Sequence, residues 1–269
     1  MRAPVLSNPR SDRVKAVRAL SRRTTRTKTG RFVADGPQSV REAVAYAADR
    51  IIDLYVTADA GERHADIVAG ADEAGVYVHR VTPEVLGAMS ETDSPQGLLA
   101  VCQDHHIELS DILDRRPRLL VLLNEIRDPG NLGTVIRGAD AAGADAVLVT
   151  ESSVDVNSPK AVRSTAGSLF HLPVLTGLSG RDVVAQLKAH QIRVLAADGG
   201  GSTPLPQADL STPHAWLVGN EAWGLPPELR NLADDVVQVP IYGKAESLNL
   251  AMAATICLYA SAGVLRTGQ

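Results

Sequence analysis

The chain is poor in cysteine, in long apolar runs and in the glycine signatures of several common enzyme classes, and each shortage excludes something. Its two cysteines, Cys102 and Cys257, lie far apart and form no C-x-x-C pair, which leaves no disulfide framework and no cysteine-type zinc site; both read as small buried apolar residues. Apart from an alanine-rich C-terminal segment with polar interruptions, no stretch reaches the roughly 18 uncharged apolar residues of a membrane span. Met1-Arg2-Ala3-Pro4 leads into no apolar signal region. A cytoplasmic globular protein is expected, and 45% apolar composition over 269 residues is ample for one large or two modest domains. No Walker A loop, no G-x-S-x-G elbow and no G-x-G-x-x-G fingerprint occurs, which argues against a P-loop enzyme, an α/β-hydrolase and a nicotinamide-dependent oxidoreductase. The pair His105-His106 has neither i,i+4 spacing nor acidic co-ligands, so it reads as solvated linker and no metal is expected.

What is present is distributed unevenly. The formal net charge is -4, yet residues 1–31 hold ten Lys or Arg against the single acid Asp12, so this segment carries +9 and the remainder -13. Within it, Arg22, Arg23, Arg26, Lys28 and Arg31 alternate with threonines, and cations interleaved with hydroxyls suit phosphate oxygens. These five residues are the candidate nucleic-acid contacts; a solvated tail is the plainer alternative.

Apolar periodicity gives a coarse map. Residues 11–20 read as a helix, 31–34 as a strand, 37–48 as a helix, 51–56 as a strand, 61–74 as a helix, and 76–78 and 97–101 as strands, which makes a small α/β unit. The polar stretch 104–117 reads as a linker between domains at 1–103 and 118–269. From Arg118 the alternation is regular, with strands at 119–123, 146–150, 172–175, 192–197, 215–218 and 236–239, and helices at 131–142, 159–168, 182–190 and from Ser247 onward. This pattern predicts a mostly parallel sheet covered on both faces.

Three segments follow the ends of such strands: Asn124-Glu125-Ile126-Arg127-Asp128-Pro129-Gly130-Asn131-Leu132-Gly133-Thr134-Val135-Ile136-Arg137, Val218-Gly219-Asn220-Glu221-Ala222-Trp223-Gly224-Leu225, and Val239-Pro240-Ile241-Tyr242-Gly243-Lys244-Ala245-Glu246-Ser247-Leu248-Asn249. Open α/β sheets build ligand crevices at such places. In the helix after Asn131, Leu132, Val135, Ile136 and Ala139 share one face, leaving Arg137 off that stripe and available to a ligand. Asn131 and Ser247 are both good N-cap residues, so a capping role is weighed beside a functional one.

The three segments resemble, in order, the motifs of the SpoU (TrmH-like) family of RNA ribose 2′-O-methyltransferases, within the knotted SPOUT class; the match spans roughly 118–266. The N-terminal half is more weakly similar to that family's small L30e-like substrate-binding domain, through Arg31-Phe32-Val33-Ala34-Asp35-Gly36 and Ser94-Pro95-Gln96-Gly97-Leu98-Leu99-Ala100. The resemblance implies an α/β fold with a deep trefoil knot, an exception to the rule against threading. It implies S-adenosylmethionine as cofactor, held near Gly219, Asn220, Val239, Ile241 and Leu248. Arg137, Asn131, Glu221, Ser247 and Asn249 would be catalytic, and the family works as homodimers on RNA.

Two departures stand out. Gly138 follows the arginine where many relatives have Thr or Ser, and Ala222-Trp223 replaces a small pair. Trp223 is open to three uses: reshaping the entrance, stacking on a base, or burial in a subunit interface. A guanidinium does not release its proton in neutral water, so Arg137 is expected to orient a phosphate and stabilise developing alkoxide charge. A basic arm and separate RNA-binding domain favour 23S ribosomal RNA; transfer RNA, or a non-catalytic RNA-binding protein on the same fold, are the alternatives.

Overall fold

The computed structural model describes residues 5–267. Arg2 of the basic segment lies outside them. In chain order the elements are α1 (Asp12–Ala19), α2 (Arg23–Thr29), β1 (Arg31–Asp35), α3 (Pro37–Tyr46), β2 (Ile51–Thr57), α4 (Ala58–Arg63), α5 (Ala65–Glu73), β3 (Val78–Val81), α6 (Pro83–Met89), β4 (Leu98–Gln103) and α7 (Leu109–Leu113). They continue with β5 (Leu119–Leu123), α8 (Pro129–Ala142), β6 (Ala146–Thr150), α9 (Pro159–Ser164), β7 (Val174–Leu178), α10 (Gly180–Ala189), β8 (Arg193–Ala197), β9 (Thr203–Pro204), β10 (His214–Val218), α11 (Pro227–Arg230), β11 (Asp235–Gln238) and α12 (Leu250–Thr267). Packing divides the chain into two units. The first holds residues up to His105 together with Asp155–His171, and the second holds His106–Val154 and Leu172 onward.

The first unit is a four-stranded sheet in the order β1-β4-β2-β3, with β4 antiparallel to both neighbours and β2 parallel to β3. On one face Val33, Tyr55, Leu99 and Val101 pack with Val14 and Val17 of α1 and Val85, Leu86 and Met89 of α6. Strand alternation turns Phe32 the other way, where its ring stacks 6.2 Å from that of Phe170 in the returning segment. Full burial of each such side chain stabilises by about 1.5–3 kcal/mol. Arg26 ties α2 to the same segment: its Nε and Nη2 donate to Asp155 Oδ2 at 2.8 and 2.6 Å, and Nη1 donates to the carbonyls of Leu20 and Ser21.

The second unit is a seven-stranded sheet in the order β7-β6-β5-β10-β8-β11-β9, parallel at every pairing. Leu120, Leu122, Ala215 and Leu217 face α7 and α10, meeting Leu109, Ile112, Val183, Val184 and Leu187. On the opposite face β10 presents His214 and Trp216 to α12. Trp216 Nε1 donates to Ser261 Oγ at 2.8 Å, and His214 Nδ1 lies 2.7 Å from the Thr212 carbonyl. A carbonyl only accepts, so Nδ1 carries the proton and Nε2 accepts from Ser261 Oγ at 2.7 Å. Burial holds the His214 pKa below its ordinary value. It also pushes the thiols of Cys102 and Cys257 up to about 12, so both are inert core residues.

Several sequence expectations shift. The strand expected at 76–78 is β3 (Val78–Val81), because Val76 N–H returns to the Ala71 carbonyl and Gly75 takes φ +75° to end α5. The single helix expected over 61–74 breaks at His64 into α4 and α5. Helices α2, α6, α7 and α11 had no periodic signal. Asn131 is not the N-cap of α8: Asp128 caps it, accepting from Asn131 N–H at 2.8 Å. Nor does Ser247 cap α12, where Asn249 Oδ1 accepts from the amides of Ala251 and Met252.

Candidate active site

Strand register sets the site. Leu123 of β5 stands beside Val218 of β10, Val218 beside Ala197 of β8, and Ala197 beside Val237 of β11. The loops that leave these strands therefore emerge side by side at the carboxyl end of the sheet, where parallel α/β proteins bind ligands.

The loop after β10 is closed on itself. Asn220 and Gly224 exchange both backbone hydrogen bonds, at 2.9 and 3.0 Å, and Gly224 takes φ +69°. A Cβ on Gly219 would lie 2.4–2.5 Å from the Gly224–Leu225 peptide, so that glycine is required by the loop's own closure, quite apart from any ligand. Asn220 joins this loop to its neighbour, its Nδ2 donating to the Glu125 carbonyl at 2.6 Å and its Oδ1 accepting from Ala222 N–H.

Glu221 then links the second segment to the first, and Asn131 carries the link to the third. Its carboxylate accepts from the backbone amides of Arg127 and Asp128 at 3.3 and 3.2 Å and from Asn131 Nδ2 at 3.2 Å. Asn131 Oδ1 in turn accepts from Asn249 Nδ2 at 3.0 Å. The direction of this chain is set at one end, because Asn249 Oδ1 is taken by the first amides of α12 and its nitrogen must donate onward. Three acceptances commit Glu221 to holding loops together, which is poor preparation for a base.

The other expected residues sit differently. Arg137 lies on the exposed side of α8 with Thr134 and Ala141, and among the described residues no hydrogen bond or ion pair joins it to the Glu221–Asn131–Asn249 chain. Ser247 is exposed, Val239 and Leu248 are half-buried, and Ile241 is exposed. Residues 240–248 make no hydrogen bond among the described residues, so this stretch, which leads from β11 to Asn249, offers a run of free main-chain donors and acceptors. Gly138 packs against α12, where a Cβ would lie 2.6 Å from Thr255 Oγ1. Among the basic residues, Arg22, Arg23, Lys28 and Arg31 are exposed, but Arg26 is 6% exposed and fully engaged with Asp155 and two carbonyls. It is a structural arginine rather than a nucleic-acid contact. Sequence inspection missed the pairing of Arg127 with Trp223, whose only signal was an unusual tryptophan in the second motif.

Comparison with known proteins then decides the family. Residues 118–259 match the model of the SpoU rRNA Methylase family, and residues 11–100 match that of an MRM3-like substrate binding domain. The chain belongs to the SpoU rRNA methylase family. It is 33% identical over 254 residues to a 23S rRNA guanosine 2′-O-methyltransferase of Bacillus subtilis, covering 94% of this chain and 97% of that one. It is also 33% identical over 248 residues to a 23S rRNA uridine 2′-O-methyltransferase of Streptomyces viridochromogenes, covering 89% and 85% of the two chains. The crystal structure of an AdoMet-bound rRNA methyltransferase from Sinorhizobium meliloti superposes with a TM-score of 0.83 at 31% identity, covering 96% of this chain and 97% of that one. The α/β fold with its parallel sheet is thus the SpoU fold. S-adenosylmethionine suits the free main-chain groups of residues 240–248, which can meet an adenosine's donors and acceptors without any charged side chain.

Proposed function

We propose that the protein transfers a methyl group from S-adenosylmethionine to a ribose 2′-hydroxyl of 23S ribosomal RNA. The observation that carries this reading is the Glu221–Asn131–Asn249 chain, which joins all three family segments at the carboxyl end of the sheet. Both relatives above are named for this reaction on 23S rRNA, and each aligns over most of this chain.

When bound, the cofactor supplies a methyl group already activated on a sulfonium. Gly219, Asn220, Val239, Ile241 and Leu248 would hold it, largely through main-chain atoms, in a C-terminal segment that we take to be threaded as a trefoil knot. The protein's remaining task is to place the 2′-oxygen in line, where correct alignment alone lowers barriers substantially. Asn131 and Asn249 are held in single orientations by the chain described above, and Ser247 stands exposed beside them to contact the ribose. Arg137 stays protonated, grips the phosphate next to the reacting ribose with two N–H groups, and stabilises the negative charge that develops on the 2′-oxygen as the hydroxyl gives its proton to solvent water.

The protein works as a homodimer in this reading. Met252, Ile256 and Tyr259 leave an apolar strip of α12 exposed, and Tyr259 Oη reaches the Ala141 carbonyl on the exposed side of α8, the side that carries Arg137. A second subunit on that strip brings its own Arg137 to the partner's site, which accounts for the lack of any bond between Arg137 and the other site residues within one chain. Arg22, Arg23, Lys28 and Arg31 hold the RNA backbone. In this reading the first unit, residues up to His105 with Asp155–His171, is the substrate-binding domain and the second is the methyltransferase domain; the stretch expected as a linker, 104–117, instead carries α7, whose Leu109, Ile112 and Leu113 belong to the second unit's core. The protein acts in the cytoplasm; among the described residues no helix is long and apolar enough to cross a membrane.

Incubation with methyl-labelled S-adenosylmethionine and either unmodified 23S rRNA or transfer RNA tests this. Label in 23S rRNA is expected. Label confined to transfer RNA would replace the substrate, and absence of both label and cofactor binding would return the protein to non-catalytic RNA binding.

A further inference from the structure

Trp223 is 60% exposed, although it sits in a loop held at every other position. The Asn220–Gly224 backbone pair closes the loop's base, Asn220 anchors it to Glu125, and Glu221 anchors it to Arg127, Asp128 and Asn131. The indole is thus carried on a loop fixed by these bonds, with more than half of the residue exposed to solvent. The guanidinium of Arg127 lies over its ring, 6.0 Å from the centroid. Arg127 is itself positioned, with Nη2 lying 3.6 Å from Glu125 Oε2 and its backbone N–H bound to Glu221, while more than half of its side chain stays exposed. Trp223 and Arg127 therefore stand next to the Glu221–Asn131–Asn249 chain, the site proposed above for the ribose.

We infer that Trp223 and Arg127 form a nucleobase-stacking subsite for the substrate strand, with the base on the indole face and its phosphate within reach of the Arg127 guanidinium. Single-stranded bases bind aromatic platforms through their π faces, and a neighbouring arginine adds to the grip. Stacking accepts any base, so the subsite positions the strand and leaves the choice of nucleotide to other contacts. This suits a family whose members act on guanosine in one relative and uridine in another. The inference rests on the methyltransferase reading, but concerns two residues that the methyl transfer itself does not require.

Two measurements on the full-length protein with an unmodified 23S rRNA transcript test it. Trp216 is fully buried with its Nε1 bonded to Ser261, so quenching of tryptophan emission by the RNA reports Trp223. Quenching is expected in the wild type and absent in Trp223→Phe. In steady state, Trp223→Ala is expected to raise KM for RNA about ten- to a hundredfold, with a much smaller change in kcat and unchanged affinity for S-adenosylmethionine, and Trp223→Phe to recover most of the loss. Normal RNA KM in Trp223→Ala, or no quenching in a wild type that does methylate the transcript, would overturn the subsite. Loss of the wild-type oligomeric mass in Trp223→Ala would overturn it in favour of an interface role. If the wild type methylates no RNA, the functional reading fails instead, and quenching by bound RNA still decides the subsite separately.

Discussion

In α2 the arginine that matters points inward; in α8 it points outward. Arg26 sits among buried groups with every guanidinium nitrogen engaged, although its helix is almost wholly polar. Arg137 sits on a helix whose other face is a continuous apolar stripe, and it is left in solvent. The polar helix keeps its place through an ion pair, and the amphipathic helix keeps its place through Leu132, Val135, Ile136 and Ala139. A cation is free for chemistry only where something else holds its helix down. The basic segment and the motif arginine thus look alike as sequence and do different work.

The sharpest way to break this contrast is to truncate each arginine. Arg26→Ala leaves Asp155 without its partner and is expected to destabilise the first unit by about 3–5 kcal/mol, read as a lowered denaturant midpoint. Near-wild-type stability would show that Arg26 is a surface cation after all. Arg137→Ala should keep wild-type stability and cofactor affinity while losing about 10²–10³-fold in kcat, and a variant that unfolds or turns over normally would erase the distinction from the other side.

How far this contrast is legible in sequence depends on what fills the buried face. Helix α8 follows from its apolar spacing, and the parallel sheet follows from strands such as Leu119–Leu123 that are apolar at every position. Helix α2 does not, because its one inward residue is charged and no hydrophobic period marks it. Asn249 was recognised as a site residue, but Ser247 and Asn249 are equally good caps in sequence, and only the backbone path chooses between them. The placement of Asp155–His171 with the first unit was also hidden: Val156, Val162 and Phe170 declare that they are buried without declaring against what. Gly219 enters from sequence only as a cofactor contact implied by the resemblance; that it must be glycine follows from the approach of the Gly224–Leu225 peptide.

Smaller effects sharpen the comparison within the second unit. Ser261→Ala removes the partner of Trp216 Nε1 and His214 Nε2 together, and each orphaned nitrogen should cost about 1–3 kcal/mol, visible as a drop in Tm of several degrees. His214 also predicts a pH dependence. Its folded-state pKa lies below the ordinary 6.5, so the unfolded chain takes up the proton first. Its contribution to stability is full above that value and is lost as pH falls below it, which thermal scans between about pH 7.5 and 5 would show as a falling Tm. Least of all in energy, replacing Arg22, Arg23, Lys28 or Arg31 singly by Ala should lower the slope of log affinity for RNA against log salt by about one each, with stability unchanged.

The account's central claim is that the methyl group goes to a ribose oxygen, and alkaline hydrolysis of the labelled RNA tests it most directly. Base cleaves RNA through the free 2′-hydroxyl, so a ribose-methylated site resists cleavage and its label appears in an alkali-stable dinucleotide. Label in such a dinucleotide from 23S rRNA is the predicted result. Label in ordinary mononucleotides would place the methyl group on a base and contradict the account.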